Sequence, residues 1–239
     1  MADRNRMFMK NRKLEILMAA VVLIAAAFLS RHAAVSVMSV NVEKRPERVV
    51  CIDAGHGGSD PGKVGINKAL EKDINLLIAR RVRTLLVQND VKVVMTRETD
   101  EGLYDEESTN HKSQDMKRRC ALINETAPAF TVSIHQNSYH EEYVKGAQVF
   151  YYENSDGGKE LAECLQNQLI AGLKDGNTRQ AKSNDAYYLL LNTNSPTVIV
   201  ECGFLSNSEE ASLLIQEEYQ EKISWQICMG ILKYLNAQK

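Results

Sequence analysis

The stretch Val49–Gly62, V-V-C-I-D-A-G-H-G-G-S-D-P-G, restricts what this chain can fold into more than any other. Val49, Val50, Cys51 and Ile52 form a short apolar run with β-branched residues, halted by a cluster of glycines. Such a run is the pattern of a buried strand in an α/β sheet. Proteins of that class bind ligands at the carboxyl ends of their strands. Glycines there let the backbone approach an ion or a substrate closely. His56 sits in this turn, placed as a metal ligand or an acid/base. The spacing is not G-x-G-x-x-G and no G-K-[ST] follows, so the common nucleotide loops are excluded. Alone, the loop equally suits a structural or solvent-exposed histidine. Partners elsewhere in the chain must decide.

Strand-like and helix-like stretches alternate from there to the end. Apolar runs with strand character cover 48–53, 91–96, 130–135, 147–152, 187–191 and 197–201. Helical periodicity covers 69–88, 112–125, 158–174, 209–215 and 219–235. Residues 98–111 and 175–186 read as polar loops. The alternation predicts a single three-layer α/β domain. Its sheet is expected to be mixed and mostly parallel, with about six strands flanked by helices, and an apolar helix should precede it.

Composition adds three limits. Apolar content of 44% and charge of 25% are globular values. Six bases and two acids fall in the first 31 residues, so a formal net charge of −2 for the whole chain leaves about −6 beyond them. Nothing in that balance points to nucleic acid. Five cysteines, with no C-x-x-C pair, indicate buried free thiols rather than a disulfide framework or a zinc finger.

The N-terminus reads as a basic start followed by the uncharged run Ile16–Leu29. Fourteen residues are short of the ~20 that a membrane span needs, but mildly apolar residues after it extend the run. Residues 1–36 are therefore expected to be a cytoplasmic basic start with a membrane anchor or secretory signal. Residues 37–47 form a linker, and 48–239 a catalytic domain on the exported side.

Three more polar residues stand out by position. Glu71 opens a helix directly after the glycine loop. His135 ends the apolar run 130–134, and Glu201 ends the run 197–200. Each has a plain structural use, since an acid in a first helical turn favours the macrodipole and a histidine can finish a strand. Glu201 is harder to dismiss, because a carboxylate buried without a partner is costly. Two histidines and one glutamate make the ligand set of a catalytic zinc with an open position. A further carboxylate off the metal supplies the general base that zinc hydrolysis needs.

At these residues the chain resembles the zinc-dependent N-acetylmuramoyl-L-alanine amidases of the amidase-3 family. The motifs are D-A-G-H-G-G (53–58), L-E-K-D (70–73), R-C-A-L-I-N (119–124), S-I-H-Q-N (133–137) and V-E-C-G-F-L-S-N (200–207). The likeness runs from about residue 49 to 235, with motif order and intervals in agreement. Within the family it looks like the germination-specific, CwlD-type enzymes. R-V-R-T-L-L (81–86), V-M-T-R-E-T-D (94–100) and T-R-Q-A-K (178–182) carry that likeness. Ala54, Gln136 and Ser138 depart from the family's commoner residues without touching a ligand or the base.

The resemblance implies that His56, Glu71 and His135 hold Zn²⁺ and that Glu201 is the catalytic base. The bond cut would join the lactyl carbonyl of muramic acid to L-alanine. Arg119 and Asn137 would support substrate or ligands. Arg179 would meet a peptide-stem carboxylate or be a solvated surface arginine. The implied partners are peptidoglycan, the membrane at the N-terminus, and an accessory lipoprotein of the kind some germination-type relatives use. The implied setting is the spore cortex, on the way to muramic-δ-lactam. Other readings of the same residues are a general cell-wall amidase, a zinc carboxypeptidase, and a membrane-anchored peptidoglycan-binding protein without catalysis.

Overall fold

The computed structural model describes residues 17–30 and 48–238. Residues 17–30 form a helix, α1, with every side chain exposed. No helix among the described residues is long and apolar enough to cross a membrane. Most of the expected anchor region and all of the expected linker, residues 1–16 and 31–47, lie outside the described residues.

The second unit begins with β1 (Val49–Ala54) and continues through α2 (Glu71–Gln88), β2 (Lys92–Met95), α3 (His111–Thr126) and β3 (Phe130–Asn137). It goes on with β4 (Gln148–Tyr151), α4 (Asp156–Leu173), β5 (Lys182–Ser183) and α5 (Tyr188–Asn192). It closes with β6 (Thr197–Phe204), α6 (Ser208–Leu214) and α7 (Glu217–Ala237). The sheet order is β2-β1-β3-β6-β4-β5. All neighbours are parallel except β4 and β6, which run antiparallel. The expected six-stranded, mixed, mostly parallel sheet is therefore present.

Side-chain alternation along the strands builds the three layers. Val50, Ile52, Val132, Ile134, Val198 and Val200 pack with Ile78 and Val82 of α2, Leu161 and Leu165 of α4, and Ile227 and Ile231 of α7. The opposite face carries two smaller clusters. Cys51 meets Cys120, Ile123 and Leu189, while Phe150 meets Leu190 and Ile199. Asp53, Ser133, His135 and Glu201 share that thinner face by the same alternation. All five cysteines are free, and Cys164 alone is only partly buried.

Two expectations need correction. Residues 187–191 are not a strand: 188–192 form the short helix α5. The Asn184 side chain accepts hydrogen bonds from the backbone N–H groups of Ala186 and Tyr187, at 2.8 and 2.9 Å, turning the chain before it. The sixth strand is instead β5, two residues inside the supposed polar loop. The second correction concerns strand ends. His135 and Glu201 lie inside their strands, because β3 runs on to Asn137 and β6 to Phe204. A register shift between His135 and Asn137 lets the pairing continue. The buried Glu210 carboxylate then accepts from Phe204 N–H at 2.7 Å and so fixes the end of β6.

Candidate metal centre

Three side chains from three elements converge beyond β1 and β3. His56 comes from the glycine loop after β1, Glu71 from the first residue of α2, and His135 from β3. One donor atom from each lies within 4.8 Å of the other two. His56 Nε2 is 3.3 Å from Glu71 Oε2, and His135 Nδ1 is 2.9 Å from Glu71 Oε1. The two imidazole rings stand edge to face with centroids 5.0 Å apart.

Local backbone geometry explains the convergence. His56 has φ 63°, a left-handed conformation that only surrounding contacts can sustain in a non-glycine residue. A Cβ on Gly55 would lie 2.2 Å from the His135 ring, so the ring is seated against bare backbone. Gly62, at φ 68°, is excluded from bearing a side chain twice over: its Cβ would lie 2.6 Å from Glu71 Oε2 and 2.7 Å from His56 Cδ2.

His56 and Glu71 are oriented by further groups. Asp60 Oδ2 sits 2.9 Å from His56 Nδ1, which leaves Nε2 facing Glu71. Glu71 accepts from Lys63 N–H at 2.8 Å, from Gln136 N–H at 3.1 Å and from the buried Asn75 amide at 3.3 Å. Burial works against a charged His56, yet Asp60 and Glu71 outweigh it and lift its pKa to about 9. Burial would also raise Glu71, but the two histidines hold it well below the usual carboxylate range. Two imidazole nitrogens and one anionic oxygen, with His56 and Glu71 steered by outer partners, fit a divalent zinc ion in donor chemistry and number.

Glu201 stands beside this cluster. It is opposite His135 on one side and opposite Gln148 on the other. It is 6% exposed, and its Oε2 has no hydrogen-bond partner among the described residues. Its Oε1 lies 3.5 Å from the Tyr187 hydroxyl. Burial lifts the Glu201 carboxyl to about 7. Burial and the Glu201 charge push Tyr187 up to about 12.

The remaining expected residues fall in different places. Arg119 is 1% exposed and donates to Asp53, Asp115, the Ala54 carbonyl and the His56 carbonyl, at 2.6–2.8 Å. It therefore lies beneath the His56 loop rather than in reach of a substrate. Asn137 accepts from Ser138 N–H at 2.8 Å and shapes the turn after β3. Arg179 is not a freely solvated arginine. Its guanidinium lies 4.9 Å above the Phe204 ring, with Nε on the Lys145 carbonyl at 2.9 Å and Nη1 on Gln148 Oε1 at 3.1 Å.

Asp60, Asn75, Arg97 and Tyr187 were not singled out from the sequence. Asp60 carries the clearest missed signal, since it is a carboxylate four residues after His56 in the same loop.

A parallel-sheet edge that gathers two histidines and a carboxylate beside a second, buried carboxylate is the arrangement of a metallohydrolase. Comparison with known proteins narrows the class. Residues 50–233 match the Amidase_3 family, N-acetylmuramoyl-L-alanine amidase. The chain belongs to that family and is an amidase of peptidoglycan. It is 39% identical over 194 residues to the germination-specific N-acetylmuramoyl-L-alanine amidase of Bacillus subtilis (strain 168), covering 80% of this chain and 81% of that one. It is similar to the CwlD amidase from Clostridioides difficile, solved in complex with the GerS lipoprotein. There the identity is 42% and the TM-score 0.77, over 80% of this chain and 99% of that one. It is also similar to the catalytic domain of the amidase CwlV from Bacillus (Paenibacillus) polymyxa, at 31% identity and a TM-score of 0.69, over 79% of this chain and 98% of that one.

Proposed function

We propose that the chain hydrolyses its amide bond with one Zn²⁺ held by His56, Glu71 and His135, and that Glu201 is the general base. One observation carries this: three ligand atoms lie within 4.8 Å of one another, next to a buried carboxylate opposite His135. When bound, zinc supplies Lewis acidity to the amide carbonyl and to water. Glu201 takes the proton from the attacking water and delivers it to the leaving nitrogen of L-alanine. The C–N bond breaks, leaving a lactyl carboxylic acid on the sugar and a free amine on the peptide. Burial raises the basicity of Glu201 towards neutrality, which suits a group that must both accept and release a proton. Arg119 supports the His56 loop and Asn137 the turn after His135. Arg179 presents a fixed cation to the peptide stem.

The relatives support a biological setting. The germination-specific B. subtilis amidase supports action on the spore cortex, where peptide removal exposes the lactyl carboxyl that closure to muramic-δ-lactam requires. The CwlD–GerS complex supports an accessory lipoprotein as partner. Peptidoglycan lies outside the cytoplasm, and the basic residues before Ile16 favour export with the N-terminal segment at the membrane. Deletion of the protein is expected to leave sporulation intact and to yield spores without cortex lactam, measured by muropeptide mass spectrometry. Normal lactam in those spores would replace the cortex reading with a general wall amidase.

A further inference from the structure

The motif V-M-T-R-E-T-D, which begins in β2 and runs on beyond it, has no part in the chemistry described so far. We propose that its arginine, Arg97, is a positioning residue that presets two zinc ligands, His56 and Glu71, by clamping the carbonyl groups beside them. The inference rests on the zinc reading above.

Arg97 is 4% exposed. A buried cation is costly unless its donors are satisfied, and the usual solution is a carboxylate. Among the described residues, Arg97 hydrogen-bonds no carboxylate. Its guanidinium instead meets four backbone carbonyls. Nε donates to Ala54 at 2.8 Å, Nη1 to Thr99 at 2.9 Å, and Nη2 to both Gly55 at 3.0 Å and Lys72 at 2.8 Å. Three of these carbonyls have a shared meaning. Ala54 and Gly55 are the two residues that lead into His56, and Lys72 directly follows Glu71. One planar fork therefore ties the approach to one ligand to the helix start that carries another.

The fit leaves little slack. A Cβ on Gly57 would lie 3.0 Å from Arg97 Cδ and Nε and 2.5 Å from the Glu101 carbonyl. His56, between Gly55 and Gly57, has the left-handed backbone that needs such support. The same motif adds a second tie. Asp100 accepts from Gly58 N–H at 3.1 Å and from Lys72 Nζ at 2.7 Å, and Lys72 Nζ also donates to the Gly58 carbonyl at 2.9 Å. Thr96 of the motif donates to the buried Asp53 at 2.6 Å, one strand away. Arginine matters here because lysine, a compact point charge with three donors on one nitrogen, cannot reproduce the planar fork that meets four carbonyls at once.

The test is zinc affinity. Wild-type protein and Arg97→Lys are stripped of metal and titrated with zinc against a chromogenic chelator. Groups that orient metal ligands are worth about 10–100-fold in affinity, and a loss of that size is expected. A merely structural role would lower the melting temperature and leave zinc affinity unmoved. Affinity within about twofold of wild type in folded Arg97→Lys would overturn the proposal. Should that variant fail to fold, Arg97→Gln carries the test: its amide has two N–H donors and cannot hold four carbonyls, so a loss of zinc affinity of about 10-fold or more is expected, and an unchanged value would overturn the proposal equally. Absence of zinc binding by the wild type would instead remove the zinc reading itself.

Discussion

Glu201→Gln is expected to bind zinc as wild type does and to lose about 10²–10⁴-fold in turnover, the usual worth of a general base. Glutamine keeps the shape of the side chain but cannot take a proton from water. Zinc should stay, because His56, Glu71 and His135 form the converging donor set without Glu201. The fold should also stay. Glu201 is 6% exposed and burial disfavours its charge, so a neutral amide of the same shape carries no added desolvation cost. The melting temperature is therefore expected to match wild type or rise. Near-normal turnover at a confirmed full zinc load would move the base to another residue.

Arg119→Met is expected to destabilise the protein by about 3–5 kcal/mol, the cost of stripping one partner from a buried ion pair. In a domain of this size that corresponds to a fall of about 6–20 °C in melting temperature. Arg119 and Asp53 are 1% and 2% exposed and meet at 2.8 Å. Burial alone would raise the Asp53 pKa. The Arg119 charge and the hydroxyls of Ser133 and Thr96 outweigh it and bring Asp53 to about 2. The lowered pKa means that this pairing contributes fully above the unfolded value of about 4 and is lost as pH falls through about 2. Methionine reverses the sign. An unpaired, buried Asp53 has a raised pKa, so its penalty is absent at low pH and grows as pH rises. The deficit relative to wild type should be largest near pH 7 and should shrink as pH approaches 4. Urea unfolding of both proteins at the two pH values measures it, and a pH-independent deficit would show that Arg119 acts through packing alone.

His56, Glu71, His135 and Glu201 were legible in the sequence because each stands next to a change of pattern: a glycine cluster, a helix start, or the end of an apolar run. A parallel sheet then carries such positions to one edge. The outer partners were hidden for a physical reason. Arg97 acts on backbone carbonyls, and every residue has a carbonyl, so no pairing of residue types announces it. Asn75 is one helical turn from Glu71 and Tyr187 reaches Glu201 only through the fold. The run Y-Y-L-L-L at 187–191 is too short to carry either a helical or a strand period, and an asparagine turn before it decided for helix. The ends of β3 and β6 were set too early because a histidine and a glutamate interrupt the apolar pattern. The backbone ladder continues past them, indifferent to the side chains it carries.

Metal content measured together with product identity tests the central claim most directly. Wild type, His56→Ala and His135→Ala are purified, analysed for zinc, and incubated with peptidoglycan, and the products are read by mass spectrometry. Wild type is expected to carry one zinc per chain and to release peptides beginning with L-alanine, leaving muramic acid with a free lactyl carboxyl. A chelator should stop the reaction and added zinc should restore it. Both variants should lack metal and leave the peptidoglycan uncut. Full zinc occupancy in both variants, or wild-type cleavage unaffected by a chelator that has removed the metal, would contradict the assignment of His56, Glu71 and His135 as the catalytic zinc site.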